Sequence, residues 1–369
     1  MTLILGQSDH PIYGEATLSN YEEILLTKEY EQALSGLPLD EALILKASEA
    51  FQKIPDNLDS PYILSEEFLT FAKPYYSIFE LISESYAKQG SPFKYKDFQN
   101  ISKEYAENFY EINQERHRTY LENNPLFSDE NIEAIMNLYE KVNKPIILQY
   151  DAGYERFISL STTNTILIMI CIAFIVAPIF SNEYQGGTDS LILSTRNGRK
   201  SQSLAKIFTA ISVSVGVTII FLAVCYFTCM LVYGFEGANA QLQNYTLALN
   251  YNFTMMDCVI LLCITTCFGG FLLSGISLFV SSFSSQSMIP LSISFIIIMV
   301  GILKISLNGF EYFLPTAVGR FWNVIGLQLS WNIFGVTIWL YQAVCIVAFA
   351  ISSLLFILTY FNFKRHQVG

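Results

Sequence analysis

Two patterns of apolar and polar positions divide this chain. As far as about residue 156, apolar residues recur at intervals of three and four, the period of a helix with one buried face. Leu43, Ala47, Ala50 and Ile54 form one stripe, and Phe68, Phe71, Tyr75, Phe79, Ile82 and Tyr86 a second. A third runs through Phe98, Ile101, Tyr105, Phe109 and Ile112, and a fourth through Ile132, Ile135, Tyr139 and Val142. Turn-forming runs separate the stripes: IPDNLDSP at 54–61, KQGSP at 88–92, ENNPLFSD at 122–129 and NKP at 143–145. Pro74 is expected to start or kink its helix. Packing into a shared core accounts for the stripes, although a ligand-binding face would look the same. Glu104, Glu107, Glu111 and Glu115 share the helical spacing and read as a solvated face. His117, in a charged run, reads as exposed.

Beyond that point the period gives way to long runs without any charge: 157–181, 207–235, 258–303 and 321–363. About 20 mostly apolar residues cross a bilayer as a helix. The runs therefore predict five spans, at about 158–181, 207–234, 257–281, 286–306 and 336–362, with SSFSSQS at 281–287 as the turn between the third and fourth. Unpaired backbone groups are too costly in hydrocarbon for open structures, and the short alternating segments of a barrel are absent. The expected fold is all-α: an α-helical domain over 1–156, then a polytopic membrane helical bundle over 157–369. Asp257 and Lys304 fall at span ends and read as interface markers.

Charge sharpens the division. Residues 1–157 have 13 Lys and Arg against 27 Asp and Glu, a net of −14, while 158–369 have 8 against 5, a net of +3. An acidic surface of that kind excludes nucleic acid as a partner. All seven cysteines lie after residue 170, irregularly spaced, and read as apolar filler rather than a metal site. The three histidines are scattered, and no P-loop, H-E-x-x-H or G-x-S-x-G run occurs, so no catalytic or nucleotide site is expected in the chain itself.

Lys and Arg also set orientation. Arg196, Arg199, Lys200, Lys206, Lys364 and Arg365 fall on one side of the predicted spans, and Lys304 and Arg320 on the other. Six against two places the first side in the cytoplasm, with residues 1–156 extracytoplasmic and the C-terminus cytoplasmic. Five spans leave the two ends on opposite sides. The opening MTLILGQSDHP is too short for a span or a signal peptide. An additional span upstream of Met1 would resolve this; translocation without a leader is the alternative.

The most informative segment is FSNEYQGGTDSLILSTRNGRKSQSLAK at 180–206. Glu183 follows a span, Gly186 and Gly187 permit a sharp turn, and Thr188, Asp189 and Ser190 offer capping oxygens to a short helix containing Leu191, Ile192 and Leu193. A basic turn follows, from Arg196 to Lys200, and Lys206 opens the next span. Such a helix would lie along the inner membrane face, able to take a push from a soluble partner. An ordinary basic loop that only sets topology fits the composition as well.

This segment resembles the loop after the second span of ABC-2 type transporter permeases: an acidic residue, a Gly-Thr pair, a Leu-rich stretch, a basic turn and a Lys opening the next helix. Glu183, Gly187, Thr188, Leu191, Leu193, Arg196, Arg199 and Lys206 follow that order. The resemblance implies a coupling helix, including Lys200, that docks on a cytoplasmic ABC ATPase subunit, which would bind ATP and Mg; this chain would bind no cofactor. It implies six spans in the family, with a large outer helical domain between the first two, so this chain would begin inside that domain. It further implies a second permease copy or related permease, and re-entrant helices in the aromatic stretch 307–334, which otherwise reads as an interfacial loop. The expected function is the permease subunit, not an enzyme, of an ATP-driven exporter in the cell membrane with an amphipathic cargo. A membrane-anchored sensor or immunity module, binding a peptide antibiotic through its outer domain, is the alternative.

Overall fold

A computed structural model describes residues 20–54, 67–88, 93–188, 198–303 and 305–365. The chain divides into two compact units. The first comprises Met1–Phe157, Thr228–Cys258 and Leu329–Thr337; the second comprises Ile158–Phe227, Val259–Gln328 and Ile338–Gly369. The first unit is therefore more than the N-terminal stretch, since two later segments fold with it.

Its helices are α1 (Asn20–Leu34), α2 (Glu41–Gln52), α3 (Tyr76–Lys88), α4 (Tyr95–Gln99), α5 (Lys103–Glu107), α6 (Phe109–Glu122) and α7 (Asp129–Lys141), with α8 (Ala152–Ser159) leading out of it. Side-chain oxygens of Asp40, Ser102 and Ser128 accept the free N–H groups at the starts of α2, α5 and α7. Pro74 does break its stripe: Phe68–Ala72 is a π turn and Lys73–Tyr75 a 3-10 turn before α3 begins. The first three predicted stripes meet in one aromatic core, and the fourth, Ile132, Ile135, Tyr139 and Val142, is buried outside it. Phe51 lies 4.8 Å from Phe98, edge to face, and Phe79 stacks on Tyr95 at 4.5 Å. The third stripe is cut into α4, α5 and α6 rather than forming one helix. Glu104, Glu107, Glu111 and Glu115 are all exposed.

His117 is buried, against the sequence expectation. Its neighbours in sequence are charged, but Asn113, His117 and Leu121 share a helix face and that face turns inward. The Asn250 amide nitrogen lies 3.2 Å from Nδ1. Burial pushes the imidazole down to about 4. The unfolded chain takes up this proton near pH 6.5, so the stability His117 contributes is intact above 6.5 and is lost as pH falls toward 4. His117→Gln should flatten that part of the melting temperature against pH, measured on the full chain.

Among the described residues, four helices are long and apolar enough to cross a membrane: Ser161–Gln185, Lys200–Tyr233, Met255–Ser281 and Leu340–Lys364. The first is α9 (Ser161–Val176) and α10 (Pro178–Gln185), joined at Pro178; the second lies within α11 (Gly198–Tyr233). After the short α12 (Leu242–Tyr245) comes α13 (Met255–Ser281), opened by a reciprocal cap in which Thr254 N–H donates to Asp257 Oδ2 and Asp257 N–H to Thr254 Oγ1. The fourth predicted span, 286–306, forms only α14 (Met288–Ile302), whose 15 residues reach about 22 Å. The stretch after it holds a 3-10 turn (Phe310–Phe313) and then two single-turn helices, α15 (Pro315–Val318) and α16 (Phe321–Val324).

The expectation of an all-α chain fails at one place. Ser330–Ile333 and Val336–Trp339 pair as a two-stranded hairpin, β1 and β2, so the last helix, α17 (Leu340–Arg365), starts at 340 rather than 336. Phe334 and Gly335 both have positive φ, 52° and 83°, as a tight two-residue hairpin turn requires.

Small residues let the second unit's helices approach closely. Ser214 on α11 hydrogen-bonds Ser274 on α13, and Ser277 on α13 bonds Ser294 on α14 at 2.7 Å. The irregular 315–324 backbone is held by its neighbours, as non-helical backbone in a membrane domain must be. Thr165 Oγ1 donates to the Gly319 carbonyl at 2.9 Å, and Phe321 N–H donates to Ser161 Oγ.

Candidate coupling site

The segment from 180 to 206 is built on the break at Pro178. That proline removes one N–H from the helical ladder. The N–H groups of Phe180 and Ser181 both donate instead to Ser281 Oγ, each at 3.1 Å. α10 then ends in a turn. Gly187 has φ +66°, and the N–H groups of Gly186, Gly187 and Thr188 return to the carbonyls of Asn182, Tyr184 and Glu183. Thr188 Oγ1 also donates to the Glu183 carbonyl, at 3.4 Å.

Lys206 does not open a span. α11 begins at Gly198, two turns earlier, and Lys206 lies buried within it. Its ammonium pairs with Glu183 Oε2 and donates to the Ile179 carbonyl at 3.0 Å. The rings of Phe180 and Phe363 lie 4.2 and 5.5 Å from its nitrogen. Gln202, one turn before Lys206 on the same helix face, donates to Glu183 Oε1 at 3.2 Å. The Lys206 side chain is 8% exposed and that of Glu183 20%. At that burial each charge depends on the other, and on these added donors and acceptors, for its solvation.

The same cluster gathers the turn between α13 and α14 and the end of α17. Tyr184 Oη donates to the Ser282 carbonyl at 3.1 Å, and Gln185 Oε1 accepts from Ser287 Oγ at 2.6 Å. Asn362 Nδ2 donates to Ser282 Oγ at 2.9 Å. Four helix ends are thus tied to one polar knot within a single unit.

Of the residues singled out from sequence, the structure brings Glu183 and Lys206 into contact and places Gly187 and Thr188 in the turn beside them. Lys200 is exposed on the first turn of α11, and Arg199 lies on the same turn, its side chain outside the described residues. Leu191, Leu193 and Arg196, with the short helix expected around them, also lie outside the described residues. Sequence reasoning missed Gln202, Ser281, Ser282, Asn362 and Phe363. The Gln202–Lys206 spacing was the available signal for the first. The others come from distant segments and give no local sign.

No family model matches the chain, and no curated protein or solved structure is similar to it.

Proposed function

We propose that this chain is the membrane-spanning permease subunit of an ATP-driven exporter of the ABC-2 type, served by a separate cytoplasmic ATPase that binds ATP and Mg. The buried Glu183–Lys206 pair carries this reading. It closes the base of the basic 188–200 segment, so force applied there passes into α10 and α11 together rather than being absorbed by a loose loop. From the same knot, Ser281, Ser282 and Asn362 extend the connection to α13 and α17. The segment faces the cytoplasm, since Lys and Arg favour that side, and the first unit lies outside. Two permease copies, or this chain with a related one, enclose the path of an amphipathic cargo.

Affinity purification of the tagged full chain from its own cells should recover an ATPase activity. Arg199→Glu should cut that recovery about tenfold, the effect of losing about 1.4 kcal/mol of docking energy, without removing the chain from the membrane. The reading fails if no ATPase accompanies the unaltered chain, or if a thiol label reaches Lys200→Cys from outside intact cells.

A further inference from the structure

The first unit contains a half-open cavity of about 480 Å³, within the range of small-ligand sites. Five carboxyl groups line it: Glu31 from α1, Glu80 and Glu84 from α3, Asp151 just before α8, and Glu155 within α8. Leu34, Phe79 and Leu148 supply an apolar wall. Asp151 is 3% exposed, and its Oδ2 has no hydrogen-bond partner among the described residues. A buried carboxylate oxygen without a partner gives up its hydration for nothing. This cost has no structural return unless something else meets that oxygen.

Burial and like charges raise Glu31, Glu80, Asp151 and Glu155. Burial, then the charges of Asp151 and Glu80, push Glu31 up to about 8, with Lys73 opposing. Burial pushes Asp151 up to about 7, and burial with Asp151, Glu31, Glu80 and Glu84 holds Glu155 well above the usual carboxylate range. Glu80 is raised overall, by burial of its carboxyl and by Glu84, against its bond from Tyr76 and the charge of Lys73.

We propose that this cavity binds an organic polycation, ammonium groups on apolar stems, with Asp151 Oδ2 as its innermost acceptor. Among the described residues no group of three or more His, Cys, Asp or Glu is placed to hold a metal ion, so the carboxylates are spread too widely for one small cation. Spread acids on a part-apolar wall instead suit a chain with charges several bonds apart. The net −14 of residues 1–157 would concentrate such a ligand near the site. The site lies within the first unit and stands whether or not the 183–206 segment couples to an ATPase.

Spermidine is a suitable probe, titrated calorimetrically into the full chain in lipid nanodiscs at about 0.15 M salt, where general surface attraction is screened. One molecule should bind per chain, more tightly at pH 8.5 than at pH 6, because binding needs the carboxylates ionised. Binding at pH 7.5 should release protons, seen as heat that varies with the ionisation enthalpy of the buffer. Asp151→Asn should weaken binding about tenfold and release fewer protons, with Glu31→Gln behaving alike, while Glu122→Gln, on the exposed face of α6, should match the unaltered chain. Melting curves confirm that each variant is folded. The proposal is overturned if spermidine gives no saturable heat, if folded Asp151→Asn binds as the unaltered chain does, if no proton is released, or if magnesium at equal concentration displaces spermidine.

Discussion

Lys206→Met in the full chain should lower the stability of the second unit by about 3–5 kcal/mol, the usual loss when one partner of a buried ion pair is removed. The Glu183 carboxylate would remain between α10 and α11 with Gln202 as its remaining described side-chain donor, and Phe180 and Phe363 would lose the cation they flank. Glu183→Gln should do comparable damage from the other side, stranding an ammonium whose other bond is to the Ile179 carbonyl. The double variant Glu183→Gln, Lys206→Met should recover most of the loss, because no charge is left stranded and Gln202 can still donate to the new amide oxygen. Thermal unfolding of the four proteins in one detergent gives the cycle. Single variants that melt with the unaltered chain, or a double variant as unstable as the two losses combined, would show that the pair is ornamental.

A sign reversal between two glycines is the second large effect. In mid-helix, Ala is ordinarily better than Gly by about 0.5–1 kcal/mol. At Gly216 on α11 a methyl group would meet nothing within 4 Å, so Gly216→Ala should be neutral or stabilising. At Gly269 on α13 the same methyl would lie 2.6 Å from the Pro315 carbonyl oxygen and 2.9 Å from Met169 Cε. The methionine can swing away; the backbone of α15 cannot. Gly269→Ala should therefore cost about 1–3 kcal/mol, the usual penalty for overpacking, and Gly269→Val more. Equal melting temperatures for Gly216→Ala and Gly269→Ala would mean that α15 does not sit against α13 as described.

The reach of sequence reasoning here follows from which interactions are local. Helical periodicity found the buried faces of α2, α3 and α7, because a single helix imposes its own spacing. It overran the third stripe, where Asn100 and Asn108 stop the helix and the apolar positions still happen to fall three and four apart. It misplaced His117 by weighing the charged neighbours above the face shared with Asn113 and Leu121. The hairpin at 330–339 was hidden because absence of charge marks a membrane helix and an apolar hairpin equally; the alternation of Trp331, Ile333, Val336 and Ile338 was the better guide. At the coupling segment both charged partners were picked out, each as a landmark. Their pairing depends on α10 and α11 meeting side by side, and on Phe363 arriving from the far end of the chain, which no spacing reveals.

The short α14 has a consequence for the surrounding lipid. Met288, Ile289, Ile296 and Met299 point away from the protein, yet the helix spans about 22 Å where a bilayer's hydrocarbon measures about 30 Å. Were α14 to cross a bilayer, acyl chains lying against that surface would have to compress or splay. Elastic strain in the lipid would then act on the α13–α14 turn, whose Ser282 and Ser287 are bonded to Asn362 and Gln185, and membrane thickness would become a mechanical input to the same knot.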